Sequence, residues 1–325
     1  MEHNIDVVED KICNLSSVLL ETLLKDRSSN KNIIWATDNY SKLGIGYQKK
    51  DHIFPASITG RNNTIIRPRV AKTKEEQIKR IRDNAEVFTP SWICNAQNNL
   101  IDQQWFGSNS PFNEEKNNSW ITIEKKISFS ETKTWTDYVD DTRLEITCGE
   151  APYLTSRYDT VSGEYIDPNN RIGLLDRKLR VISENVNNKE DWIYYAKRAL
   201  QSSYGFEFQG DSLLIARENI LLTVMEHYEA LYDEIPNKDI LIEFAEIISW
   251  NIWQMDGLKY VIPLSCHNED IEEFTLFGIN IIHQECPGCK KNAVTKHNGI
   301  YCKIKDWEKN KTVKYVNVVT RGKRV

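Results

Sequence analysis

The sequence predicts an α/β fold built on a doubly wound, mainly parallel sheet. Two observations predict it. Short apolar runs alternate with longer stretches of helical periodicity. Three of those runs end in an acid or a glycine turn, at Glu145 with Gly149, at Glu207 and at Asp256. Open parallel sheets bind ligands at such strand ends. The chain has 325 residues, 40% hydrophobic and 27% charged, an ordinary globular balance.

No apolar run is long enough to span a bilayer, and Met1 to Asp6 do not resemble a signal peptide, so the expectation is a cytoplasmic protein with no membrane partner. The net charge of -5 argues against a generic nucleic-acid-coating protein but leaves room for a local basic face. The seven cysteines form no evenly spaced framework, which favours reduced thiols or a metal site over disulfides.

The chain opens with Val8, Ile12, Leu15, Leu19 and Leu23 at helical spacing, which predicts an amphipathic helix. A turn-rich run over Lys25 to Asn30 ends it, and Asn32 to Thr37 reads as a strand. Thr37-Asp38-Asn39-Tyr40 has the polar and aromatic look of a catalytic tetrapeptide, although a strand exit is the plainer reading. Lys74, Lys79, Arg80 and Arg82, with Arg67 and Arg69 before them, form either a solvated helix face or a phosphate-contacting surface.

Thr89 and Pro90 suit a helix start, Thr89 as cap and Pro90 in the first turn, with Trp92, Ile93 and Ala96 facing inward. Residues 105–140 read as an irregular connection anchored by Trp105, Trp120 and Trp135. These aromatics either pack or stack on bases. Leu144 to Leu154 reads as a strand running into a tight turn at Gly149. Helices are predicted over Arg171 to Val186, Asp191 to Gln201, Asp211 to Glu234 and Ile240 to Trp250. A second strand covers Ser203 to Phe208.

Four stretches in this order carry a resemblance. Glu86-Val87-Phe88-Thr89-Pro90 resembles the FTP element that precedes the first sheet strand in adenine-N6 DNA methyltransferases of restriction–modification systems. Leu144 to Leu154 resembles their glycine-containing first motif. Tyr204-Gly205-Phe206-Glu207, with Leu214, Ala216 and Arg217, is similar to the second. Asn251 to Leu258 is similar to the third. The resemblance covers roughly residues 84 to 260 and extends to a group of bacterial and phage proteins labelled restriction endonuclease subunit M. It implies a Rossmann-like methyltransferase domain over 84–262. An N-terminal helical extension would occupy 1–83, and a cysteine-rich, zinc-ribbon-like β element 263–325.

The cofactor so implied is S-adenosylmethionine. Phe88, Thr89 and Pro90 would lie at its methionine end, above a floor of Glu145, Cys148 and Gly149. Glu207 would hold the ribose and Asp256 the adenine edge, with Phe208 and Gly257 beside them in the cofactor site. DNA is the implied partner, with a restriction or specificity subunit as a second. The alternative is a degenerate methyltransferase fold that binds cofactor or nucleic acid without transfer, completed by a partner chain. A zinc-stabilised nucleic-acid-binding module with no cofactor is a third reading.

This chain departs from the pattern at Ile146, where the family has proline, and at Ala151, where it has a second glycine. No Asn/Asp-Pro-Pro-Tyr/Phe tetrapeptide follows the third motif. In the family that element grips the target amino group and stacks the flipped base. The nearest replacement is Asp306-Trp307, the candidate catalytic pair. The competing reading of that stretch is a hairpin pairing Ile300 to Ile304 with Val313 to Val319.

Cys286-Pro287-Gly288-Cys289, followed by His297 and Cys302, has the spacing of a structural zinc site. Cys266 and His267 compete as ligands, and a turn with free thiols is the other reading.

Overall fold

The structure, a computed structural model, describes residues 9–275 and 278–321. Its centre is a parallel sheet of three strands: β3 (Arg143–Ile146), β4 (Ser203–Glu207) and β5 (Ile252–Gln254), in the order β3-β4-β5. Register is set by Glu145↔Gly205 and Phe206↔Trp253. The fold is mixed α/β, as predicted, with a sheet of only these three strands among the described residues.

The predicted opening helix is two helices, α1 (Glu9–Leu15) and α2 (Ser17–Leu24), separated at Ser16; Val8 lies outside the described residues. The extension is no separate unit. Leu19, Leu20, Leu23 and Leu24 share one core with Leu213, Leu221, Phe244 and Ile248. Asn32 to Thr37 is not a strand, because Ala36 takes a left-handed φ of 52° and breaks the extended run. Only isolated bridges, Lys25↔Asn32 and Ile34↔His52, form there. A short α3 (Pro55–Ile58) and α4 (Lys74–Asn84) follow, the second opened by a Thr73/Glu76 capping box.

In α5 (Ser91–Phe106) the expected Thr89 cap is not used. The Ser91 N–H donates instead to the Asp159 carboxylate at 2.7 Å. Trp92, predicted to face inward, is among the exposed apolar residues. The buried face of α5 is polar: Asn95, Asn98, Asn99 and Asp102. The stretch 105–140 contains a hairpin, β1 (Asn113–Lys116) with β2 (Ser119–Thr122), and α6 (Trp135–Asp140). Its tryptophans pack: Trp105 against Phe106, Phe129 and Tyr138, and Trp135 against Tyr195.

The polar face of α5 meets α7 (Leu174–Asn185). Arg177 Nη1 donates to Asp102, while its Nη2 donates to Asn95 at 2.9 Å and Asn99 at 2.8 Å. The Tyr138 hydroxyl donates to the other Asp102 oxygen at 2.9 Å. Asp102→Ala leaves the Arg177 charge buried and unpaired, so it should cost about 3–5 kcal/mol, the range for breaking a buried ion pair. Urea denaturation measures it; a loss below about 1 kcal/mol contradicts this account.

Next come α8 (Lys189–Gln201), the long α9 (Gly210–Tyr232) and α10 (Lys238–Asn251), close to the predicted helices. α9 and α10 cover one face of the sheet. The antiparallel pair β6 (Glu269–Thr275) and β7 (Gly278–Gln284) precedes α11 (Pro287–Lys291). The predicted last hairpin is displaced: β8 (Lys303–Asp306) pairs with β9 (Lys311–Lys314), and α12 (Tyr315–Arg321) takes over where the strand was expected to continue. The Tyr315 N–H still reaches Cys302 O at 2.9 Å, and its ring packs on Trp253 with centroids 5.2 Å apart as the chain turns into α12. Among the described residues no helix is long and apolar enough to cross a membrane.

Candidate cofactor cleft and metal centre

Strand β3 ends in a left-handed residue, Thr147 (φ 47°), and the turn that follows uses Gly149 (φ 53°) and Ala151 (φ 64°). Such backbone is costly for a β-branched residue and gathers where function requires a shape. The turn is clamped from beneath. Glu145 accepts from the N–H groups of Tyr153 at 3.3 Å and Leu154 at 3.1 Å. Cys148 is buried beside Gly205 of β4. Both residues therefore form the floor of the turn with their side chains turned away from solvent.

Glu207, at the carboxyl end of β4, reaches across to the same turn. One oxygen accepts the Gly149 N–H at 2.9 Å; the other accepts from Phe208 at 2.9 Å and Gln209 at 3.1 Å. A carboxylate has about four acceptor positions, so one remains for a ligand. The Phe88 ring lies over Gly149, its Cε1 3.9 Å from where a Cβ would stand. Thr89 and Pro90 lead directly from Phe88 into α5, and the Thr89 carbonyl is held by Thr160 Oγ1 at 3.0 Å. The fold thus brings Phe88, Gly149 and Glu207 to one place from three separate stretches.

Asp256 lies two residues beyond β5. Its Oδ1 accepts from Leu258 at 3.1 Å and Lys259 at 3.2 Å, and Lys259 Nζ stands 3.4 Å from its Oδ2. The neighbouring Gly257 packs on the Phe206 ring. Asp256 therefore closes its own turn. The polar group that reaches back from β5 toward the strand ends is Gln254, which donates to Ile34 O at 2.8 Å and Phe208 O at 2.9 Å and accepts from Ile34 N–H at 2.9 Å.

Sequence reasoning missed a buried polar layer behind the cleft. Arg80 donates to Glu86 and to Asp211, each at 2.6 Å, and the Tyr40 hydroxyl donates to Asp211 at 2.7 Å. Arg69 places its guanidinium 5.1 Å from the Phe88 ring centroid. The basic stretch is therefore divided, with Arg69 and Arg80 turned in toward the cleft while Arg67 pairs with Glu76 at the surface. Tyr40 of the tetrapeptide is buried, so it presents no stacking face.

Burial pushes the Glu145 carboxyl up to about 8, against the pull of the Tyr153 and Leu154 N–H groups and with the help of Glu207. A folded-state value above the ordinary one means the native state holds an extra proton in between. Stability then falls as pH rises from the ordinary glutamate range to about 8, and is level beyond it. Glu145→Gln should flatten that fall in urea midpoints measured across the window. Equal slopes in the two proteins would contradict the assignment.

Asp306 and Trp307 are not at this cleft. Trp307 Nε1 donates to Asn251 at 2.8 Å, beside the amino end of β5, and Asp306 ties down its own turn through the Lys309 N–H at 3.0 Å. They stand at the opposite end of the strands from Gly149, because β8 runs back along the sheet. The fold thus separates the candidate catalytic pair from the Gly149 turn, and the stretch forms a hairpin, shifted from the expected one.

The cysteine cluster is built from the start of α11 and a loop on either side of it in the chain. Cys266, Cys286, Cys289 and His297 place their ligand atoms within 4.8 Å of one another, an arrangement that could hold a metal ion. His297 Nδ1 stands 3.6 Å from Cys266 Sγ and 3.7 Å from both Cys286 and Cys289. Gly288 makes this possible: a Cβ there would lie 2.5 Å from the backbone N of His297. Cys302 is not a member. Its thiol is buried and donates to Gln254 O at 3.3 Å, and Cys266 takes the fourth place. His267, the other competitor, turns toward Ser265 O at 3.4 Å. Despite burial, which opposes it, the Asn298 N–H and His297 draw the Cys286 thiol down to about 6, toward the thiolate that a metal requires.

No family model, no curated protein and no solved structure matches this chain.

Proposed function

We propose that the chain binds S-adenosylmethionine at the carboxyl ends of β3 and β4 and serves as a DNA adenine-N6 methyltransferase or modification subunit. The observation that carries the reading is the convergence of Phe88, Gly149 and Glu207 on one turn at the carboxyl ends of parallel strands. An apolar ring and a carboxylate with a free acceptor position, at the carboxyl ends of parallel strands, suit a ligand with a ribose. In this reading Phe88, with Thr89 and Pro90, borders the methionine end, Glu145 and Cys148 hold the floor, and Glu207 takes the ribose. Asp256 and Gly257 border the adenine less directly than Gln254 and Phe208. The cofactor supplies an electrophilic methyl group; the chain's own residues orient it and exclude water.

One observation favours a second reading, a cofactor-binding protein that needs another chain for transfer. Asp306 and Trp307 lie at the wrong end of the sheet to handle a target base. Incubating purified protein with labelled S-adenosylmethionine, then with unmodified DNA, separates the two. Binding with methyl incorporation supports the first, binding without it supports the second, and no binding removes both.

We also assign the metal as a structural zinc. Zinc with sulfur about 2.3 Å away and nitrogen about 2.0–2.1 Å away sets tetrahedral ligand atoms about 3.6 Å apart. The sulfur-to-nitrogen separations of 3.6, 3.7 and 3.7 Å are those of such a site. Three cysteines and a histidine leave no open position for catalysis.

A further inference from the structure

The charge of the chain is unevenly placed. Residues 286–325 hold eleven of its 42 Lys and Arg but only two of its 47 Asp and Glu, so a chain of net charge -5 ends in a strongly basic segment. That segment carries the knuckle around α11 and the ribbon of β8 and β9. Lys290, Lys291 and Lys296 of the knuckle and Lys309, Lys311 and Lys314 of the ribbon are exposed. Among the lysines described there, only Lys309 has a carboxylate partner, Asp306 at 3.5 Å. Zinc on three thiolates and a neutral imidazole would add a single negative charge, which leaves the sign of the surface unchanged.

The ribbon gathers this charge on one face. Side chains alternate along a strand, so Lys303 and Lys305 share a face of β8, and Lys314 of β9 stands directly opposite Lys303. Like charges directly opposite each other destabilise a strand pair. Ile304, on the other face, packs against Phe206 and Trp253. Two rings support the ammonium groups: Lys305 Nζ lies 4.3 Å from the Trp307 ring centroid and Lys314 Nζ 5.4 Å from that of Tyr301. Tyr301 also ties the ribbon to the knuckle. Its hydroxyl accepts from the His297 N–H and donates to Val294 O, each at 2.9 Å. Lys296, next to His297, is thereby fastened to the ring that carries Lys314, and knuckle and ribbon make one basic surface.

We propose that this surface docks the phosphate backbone of duplex DNA. A polyanion relieves opposed ammonium groups, and each phosphate neutralised releases a condensed counterion. A two-stranded ribbon is also an element that the major groove admits. Single strands are held by stacking bases on bare rings. Here the two rings already carry lysines and are fixed through Trp307 Nε1 and the Tyr301 hydroxyl, so the duplex backbone is the better fit. The inference shares the DNA partner of the reading above and is independent of its cofactor site.

Fluorescence anisotropy with a short labelled duplex and the full chain, without S-adenosylmethionine, tests it. A failed cofactor assay therefore leaves this result standing, and the reverse. The wild type should bind with a log Kd that rises linearly with log salt. Lys303→Gln with Lys305→Gln and Lys314→Gln should lower that slope by about 2–3, at about 0.9 per phosphate contact, and weaken binding at low salt at least about tenfold. The thermal midpoint of this variant should hold or rise, because the Lys303–Lys314 repulsion is gone. Lys74→Gln with Lys79→Gln on α4 should leave the slope unchanged. No duplex binding by the wild type, an unchanged slope in the triple variant, or an equal loss in the α4 variant overturns the proposal. So does binding as tight to the single strand or to phosphatidylserine vesicles, or lost binding in a triple variant that has also lost stability.

Discussion

Gly149→Asp is expected to lower affinity for labelled S-adenosylmethionine at least about a hundred-fold, equivalent to roughly 2.7 kcal/mol. Three effects act together. The residue has φ 53°, where a side chain costs roughly 1–2 kcal/mol. Its Cβ would touch the Phe88 ring, 3.9 Å away, and so occupy the space between ring and turn. The new carboxylate would also stand beside Glu207, which already accepts the Gly149 N–H at 2.9 Å. Two like charges there repel, and the ribose would meet a second carboxylate beside Glu207. Gly149→Ala provides the control, since its methyl makes only ordinary contact with Phe88 and adds no charge. It should keep measurable binding and lose about 1 kcal/mol of stability. An unchanged affinity in the aspartate variant, with the protein still folded, would remove the cofactor assignment from this turn.

Metal analysis of the purified chain should give about one equivalent of zinc. Cys266→Ser, Cys286→Ser or Cys289→Ser should bring it near zero, while Cys302→Ser should leave it intact. The contrast between Cys266 and Cys302 is the decisive part, because both are spaced plausibly in sequence and only one stands in the cluster. Structural zinc contributes folding free energy directly, on the order of 10 kcal/mol in small zinc domains. Loss of the ion should therefore open the segment from Cys266 to His297 to limited proteolysis while the core helices stay protected. The buried Cys302 lies against Phe206, Trp253 and Met255, so its change tests packing and not coordination. Metal retained after Cys266→Ser, or lost after Cys302→Ser, would overturn the ligand set.

The turn at Gly149 was legible because it is a local device. A strand, a left-handed turn and the residues that clamp it lie within eleven positions, and hydrogen bonds from Tyr153 and Leu154 to Glu145 close over that span. The helices from Leu174 onward were legible for a similar reason, since a 3.6-residue period needs no distant partner. Asn32 to Thr37 was not. Its apolar run has the composition of a strand, but its backbone bonds are scattered over several partners, Leu24, Lys49, Asp51 and Ile53 nearby and Gln254, 220 residues away along the chain, so no one neighbouring strand forms a ladder with it. Trp92 misled for the converse reason. Apolar spacing placed it inward, whereas the face of α5 that is buried carries amides and Asp102, because Arg177 waits opposite. Cys302 looked like a ligand by spacing, and only the path of β8 shows it turned into the core.

The sequence by itself determined the alternation of strands and helices, the glycine turn with its neighbouring acids, and the knuckle Cys286-Pro287-Gly288-Cys289. Each depends on contacts or backbone angles within a turn or two. The tertiary structure alone decided which distant groups share a place. It set Phe88 over Gly149, gave Cys266 the fourth position beside His297, sent Asp306 and Trp307 to the amino end of the sheet, and left β3 as an open edge. Those outcomes follow from how strands order laterally and how loops return, which depends on summed burial across the whole core and leaves no periodic trace in any one segment.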